Sequence, residues 1–75
     1  MKHVPVINVS ETGKVLKALR IKNGLTVRNI QDELNFTNPV CIYKWERGGS
    51  IPSIDNLVIL AKLYGVRIDD ILAVE

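Results

Sequence analysis

Apolar residues recur at intervals of three and four through most of this chain, and nowhere do they alternate as in a half-buried strand. The pattern predicts five short helices, at about residues 11–23, 27–35, 39–47, 54–64 and 68–73. In the first, Val15, Leu16 and Leu19 face inward and Lys14, Lys17 and Lys22 outward, with Ile21 at the margin. Ser10 or Thr12 is expected to cap it, and Gly24 to close it. The second follows Thr26, a suitable cap, and repeats Val27, Ile30 and Leu34; barely three turns long, it must be held by its neighbours, with help from Phe36. Ser53 opens the fourth and Gly65 ends it. Its apolar set of Ile54, Leu57, Leu60, Ala61 and Tyr64, widened by Val58 and Ile59, predicts the buried spine of the domain. The last adds Ile68, Ile71 and Leu72, with Asp69 and Asp70 near its positive end.

The third helix has both boundaries written in the sequence. Asn38 can accept a hydrogen bond from an early backbone N–H, Pro39 suits the first helical position, and Gly48-Gly49 can supply a left-handed residue after the end. Only Cys41, Ile42 and Trp45 make its apolar face, so it is expected to sit shallowly. Asn38, Val40, Tyr43, Lys44 and Arg47 are left on or beside the outer face. An amide, a phenol, two cations and a small apolar group are side-chain types that read base edges and grip phosphates.

Before the helices, residues 1–9 hold Val4, Val6, Ile7 and Val9 around Pro5. β-Branched residues and a proline argue for an extended arm. Packing on its own domain is preferred to pairing with a second copy. Residues 10–75 then form one all-α domain.

Seventy-five residues bury only roughly 60 to 65 per cent of their unfolded surface, which leaves no room for a large catalytic cleft. No apolar run approaches the roughly 20 residues of a membrane span, and the N-terminus lacks a secretory pattern, so a cytoplasmic location is expected. One cysteine, Cys41, and one distant histidine, His3, make neither a disulfide nor a zinc site of the usual spacing. With no nucleophile–base pair, carboxylate dyad or metal cluster visible, the chain is read as a non-enzyme without cofactors. Net charge is only +2, but residues 1–49 hold eight Lys and Arg against four acids, whereas residues 50–75 hold two against four. An anionic partner should therefore meet the first two-thirds of the chain.

Two short helices joined by a tight turn, the second with a polar, basic outer face, have the helix-turn-helix arrangement. Leu16-Lys17-Ala18-Leu19-Arg20, Asn23-Gly24-Leu25-Thr26, Lys44-Trp45-Glu46-Arg47-Gly48, Ile51-Pro52-Ser53-Ile54-Asp55-Asn56-Leu57 and Gly65-Val66 with Ile71-Leu72 resemble, in order and spacing, the Xre and Cro/C1 helix-turn-helix family. The resemblance covers about residues 12–73, and Lys-Trp-Glu-Arg-Gly followed by Pro-Ser-x-Asp-Asn-Leu is its most specific part. It implies a five-helix, λ-repressor-like DNA-binding domain of a bacterial or phage transcription regulator that binds operator DNA, often as a dimer. Two positions depart from the family pattern. Val27 stands where Gln often follows the capping Thr, and the turn Leu34–Pro39 is one residue longer than usual. Pro39 or Val40 then occupies a place often held by a base-reading polar residue. A branch of small regulators is similar here, with the same longer turn and an Ile-Tyr-Lys-Trp run.

Lys44 and Arg47 are assigned mainly to phosphates. Tyr43 either packs on sugar or a thymine methyl, with its hydroxyl toward phosphate, or covers a neighbouring helix. Asn38 is the best amide for adenine and also the helix cap, and one side chain cannot do both with full bidentate geometry. Val40 is placed to touch a thymine methyl. Arg28 and Asn29, in the first turn of the second helix, can seat a phosphate or lie on a solvated face. Trp45 is assigned to the core, Glu46 to a structural pairing with a nearby cation, and Cys41 to a semi-buried filler.

The function expected is that of a sequence-specific transcription regulator, a repressor by operator occupancy, binding double-stranded DNA as a homodimer on half-sites one helical turn apart. The competing reading is a protein-interaction or antitoxin-like module in which Val27, Pro39, Val40 and Tyr43 form an apolar patch for a partner protein. The arm around Val4, Val6 and Ile7 and the edge of the last helix are the two candidate dimer surfaces.

Overall fold

The computed structural model describes residues 5–75. Five helices follow one another: α1 (Val9–Lys22), α2 (Val27–Glu33), α3 (Val40–Glu46), α4 (Ile54–Tyr64) and α5 (Ile68–Ile71). Each is too short to be stable alone, and each gives at least one fully buried side chain to a common core. Leu16 comes from α1, Ile30 from α2, Ile42 and Trp45 from α3, Leu57, Leu60, Ala61 and Tyr64 from α4, and Ile71 from α5.

The first helix starts two residues before the expected point, and neither Ser10 nor Thr12 caps it. Asn8 does, its Oδ1 accepting the N–H of Glu11 at 2.9 Å. Asn8 is fixed because its own N–H donates to the carbonyl of Ala73 at 2.8 Å. Thr12 is buried one turn into the helix, where its hydroxyl accepts the N–H of Ala73 at 3.0 Å. Val9, assigned to the arm, is helical.

That anchoring also explains the other end of the chain. The last helix stops at Ile71, two residues early, because Leu72 turns extended and residues 73–75 run antiparallel to the arm. Ile7 faces Val74 across an isolated bridge, and the N–H of Glu75 reaches the carbonyl of Val6 at 2.8 Å. The described part of the arm thus pairs with its own domain. Val4 and His3 lie outside the described residues.

In α4 the apolar stripe is wider than the buried face. Ile54, Val58 and Ile59, expected in the spine, are exposed. A domain this small has too few elements to surround a helix, so α4 is covered on one side only.

Candidate nucleic-acid interface

The second and third helices are set by local chemistry at both ends of α2. Thr26 and Asn29 form a reciprocal capping box: the Thr26 hydroxyl accepts the N–H of Asn29 at 3.0 Å, and Asn29 Oδ1 accepts the N–H of Thr26 at 2.9 Å. Helix α2 ends at Glu33, two residues before the expected point and with Leu34 at the C-cap, because Asn35 turns left-handed, with φ of 58°, a conformation that asparagine tolerates better than most residues. The longer turn is then stapled in place. The N–H of Phe36 donates to the carbonyl of Gln31, the Gln31 amide returns a bond to the carbonyl of Phe36, and the Phe36 ring meets Trp45 edge-on at 5.8 Å.

Helix α3 begins at Val40, one residue later than expected, with Pro39 at the cap position and offering no side-chain bond. Asn38 still serves the helix start, but as a tight local turn. Its Oδ1 accepts the N–H of Val40 at 3.0 Å. Gly48, with φ of 80°, closes the other end, and a Cβ there would meet Ser10 of α1 at 2.8 Å. Gly13 makes the reciprocal approach. A Cβ on it would overlap the carbonyl oxygen of Trp45 and come within 3.0 Å of Glu46 and Gly48 backbone atoms. Helix α3 is therefore seated with its last turn directly on the backbone of α1.

With about 100° between successive residues, Val40, Tyr43, Lys44 and Arg47 share one side of α3, opposite Ile42 and Trp45. All four are exposed, Val40 by 62% and Tyr43 by 49%. Cys41, expected as a semi-buried filler on the apolar face, is exposed as well. It lies at the rim of the face that Ile42 and Trp45 define, and a seven-residue helix held at its last turn does not roll far enough to cover it. Arg28 and Asn29 are both exposed in the first turn of α2. Arg28 leans on Asp32 at 3.3 Å in a solvated pair, and the Asn29 oxygen is committed to the capping box.

The one acid of α3 is turned away from this face. Glu46 accepts two bonds from Arg20 of α1, at 2.8 and 3.0 Å, and Arg20 donates a third to the carbonyl of Leu25 just ahead of α2. The bond to Glu46 raises the Arg20 pKa against the lowering effect of burial, which holds the guanidinium charged in the pair. What remains on the outer side of α3 is Lys44 and Arg47 with no compensating carboxylate from the same helix. Burial, reinforced by the charge of Glu46, pushes the nearby Tyr64 hydroxyl up to about 12. The sequence placed Glu46 against a cation without saying which. Arg20, 26 residues before Glu46 and on a different helix, carries no local signal of that partnership; Thr12, four residues before Leu16, carried a spacing signal for burial.

A helix-turn-helix family model matches residues 16–71, three-quarters of the chain. The protein belongs to the Xre/Cro-C1-type helix-turn-helix family. Over 65 residues it is 31% identical to the HTH-type transcriptional activator BcrR of Enterococcus faecalis, a match that takes in 87% of this chain but 31% of the relative. The chain thus spans about a third of that curated relative's length. Among solved structures, the BldD DNA-binding domain of S. venezulae superposes with a TM-score of 0.71 at 25% identity, covering 88% of this chain and 97% of that one. The clp gene regulator ClgR of C. glutamicum does so at 0.74 and 21% identity, covering 93% and 88%. The restriction-modification controller protein C.AhdI of Aeromonas hydrophila gives 0.73 and 21%, covering 84% and 94%. These likenesses establish an all-α, five-helix fold of this family. No helix among the described residues is long and apolar enough to cross a membrane.

Proposed function

We propose that this protein regulates transcription by occupying an operator in double-stranded DNA, with α3 lying in the major groove, about 12 Å wide. The observation that carries this reading is the inward turn of Glu46 onto Arg20, which leaves the outer face of α3 to Val40, Tyr43, Lys44 and Arg47. Lys44 and Arg47 act on phosphates, Tyr43 on sugar and phosphate, and Arg28 with the Asn29 amide nitrogen on the backbone beside the groove. Arg28 exchanges its solvated contact with Asp32 for phosphate at little cost. Two copies occupy half-sites one helical turn apart, and occupancy of an operator that overlaps a promoter represses. The similarity to an activator concerns only a third of that relative, so the sign of regulation is tested on its own, with a reporter.

Selection from a randomised duplex pool, at low and at near-physiological salt, tests the reading. A two-fold symmetric motif that survives the higher salt supports a dimeric operator binder; binding without enrichment, lost as salt rises, would leave only the sequence-independent phosphate contribution and refute it. The interaction-module alternative draws less support. Of its four apolar residues, Val27 packs against the core and Pro39 is half-buried, leaving Val40 and Tyr43 as the exposed pair.

A further inference from the structure

The start of α3 presents two adjacent groups whose chemistry is fixed by one hydrogen bond. The atom of Asn38 that faces the Val40 N–H at 3.0 Å has to be the oxygen, because an N–H donor needs an acceptor. The atom of that exposed amide not engaged in this bond is consequently Nδ2, a donor. An amide reads adenine by accepting from N6 and donating to N7 together, and Asn38 cannot do the first while its oxygen holds the helix start. Beside it Val40 exposes two methyl groups, the most open large apolar residue of α3, with no polar atom of its own to offer. Cys41, also exposed, adds only a weak donor and acceptor.

A donor next to a methyl surface has one natural complement among the four bases in the major groove. Thymine presents an acceptor, O4, next to its C5 methyl. Guanine presents acceptors and no methyl, cytosine a donor, and adenine one acceptor and one donor. Lys44 and Arg47 also supply only donors, and no carboxylate or free amide oxygen of α3 is aimed outward to accept from cytosine N4 or adenine N6; the one acceptor on the outer face of α3 is the Tyr43 hydroxyl, which the reading above places on sugar and phosphate.

We propose that the Asn38–Val40 start of α3 is a thymine reader: Val40 packs on the C5 methyl, and Asn38 Nδ2 donates to an O4 acceptor. This rests on the DNA-binding reading above and specifies the base that reading leaves open. The departure from the family pattern at Pro39 and Val40 then replaces a polar readout with an apolar one.

The test uses the full chain and the motif enriched by selection. Each thymine of a half-site is replaced in turn by deoxyuridine, which removes the C5 methyl alone, and affinity is measured for the unaltered protein and for Val40→Ala. The expected result is one position per half-site at which the unaltered protein loses about fourfold in affinity, and at which Val40→Ala shows no further loss. Val40 is exposed, so its truncation leaves the core intact; unchanged thermal denaturation verifies that. A clear motif whose thymines all tolerate deoxyuridine, or a methyl effect that persists in Val40→Ala, overturns the thymine reader while leaving operator binding standing. Enrichment of no motif overturns operator binding and the reader with it.

Discussion

Arg20 of α1 and Glu46 of α3 face each other in a two-pronged ion pair, with side chains 14% and 8% exposed. The pair binds the end of α3 to α1 and, through the carbonyl of Leu25, to the entry of α2. Removing one partner leaves a charge with little water to solvate it. Glu46→Ala should therefore cost about 3 kcal/mol or more, a large share of the roughly 4 to 11 expected for a domain this size. Urea denaturation measures this. Substituting both residues by Met should recover most of the loss, whereas a single-mutant loss below about 1 kcal/mol would mean the pair is solvated in solution.

Tyr64 gives the fold a limit at high pH. Its folded-state pKa, about 12, lies above the ordinary value of 10.0 because burial disfavours the phenolate. A pKa raised on folding contributes stability that is whole below pH 10 and lost as pH climbs to about 12. The denaturation midpoint of the unaltered protein should fall across that window more steeply than that of Tyr64→Phe. Parallel curves for the two proteins would show that the hydroxyl ionises freely.

Gly13 should respond to alanine with the opposite sign to that usual in a helix. In an open helical position Gly→Ala gains roughly 1 kcal/mol. Here the added Cβ would overlap the carbonyl of Trp45, backbone that cannot rotate away, so α3 must shift off α1. A net loss of about 1 kcal/mol or more is expected, lowering the melting temperature by roughly 4 to 8 °C. DNA affinity should drop with it, since the same shift moves the outer face of α3. A stabilised Gly13→Ala variant would show that the two helices are less closely seated.

Lys44 and Arg47 are expected to act through charge rather than sequence. Replacing both by Ala should weaken binding to all duplexes alike and reduce the slope of log affinity against log salt by about 2, one per phosphate contact. Fluorescence anisotropy titrations at several salt concentrations give the slope. An unchanged slope would remove both residues from the phosphate contacts.

Much of this architecture was legible because its determinants are local. Helical spacing located five helices; Thr26, Ser53, Gly24, Gly48 and Gly65 marked ends that depend on one or two neighbouring residues. The Val40, Tyr43, Lys44 and Arg47 face followed from periodicity alone, since a helix side is defined by residue spacing. Where the reading failed, a distant residue had intervened. Ser10 and Thr12 were sound caps by chemistry, but the tail at Ala73 fixed Asn8 in that place and took the Thr12 hydroxyl for itself.

The candidate interface divides along the same line. By itself the sequence determined which side chains lie on the outer face of α3 and that cations dominate the first two-thirds of the chain. Tertiary structure alone decided that Glu46 turns inward to Arg20, that Cys41 stays at an open rim, and that Ile54, Val58 and Ile59 are left uncovered. The reason is physical. Periodicity says which residues share a side of a helix, whereas burial and pairing depend on which other helix arrives there and how closely two backbones, here those of Gly13 and Trp45, are able to approach.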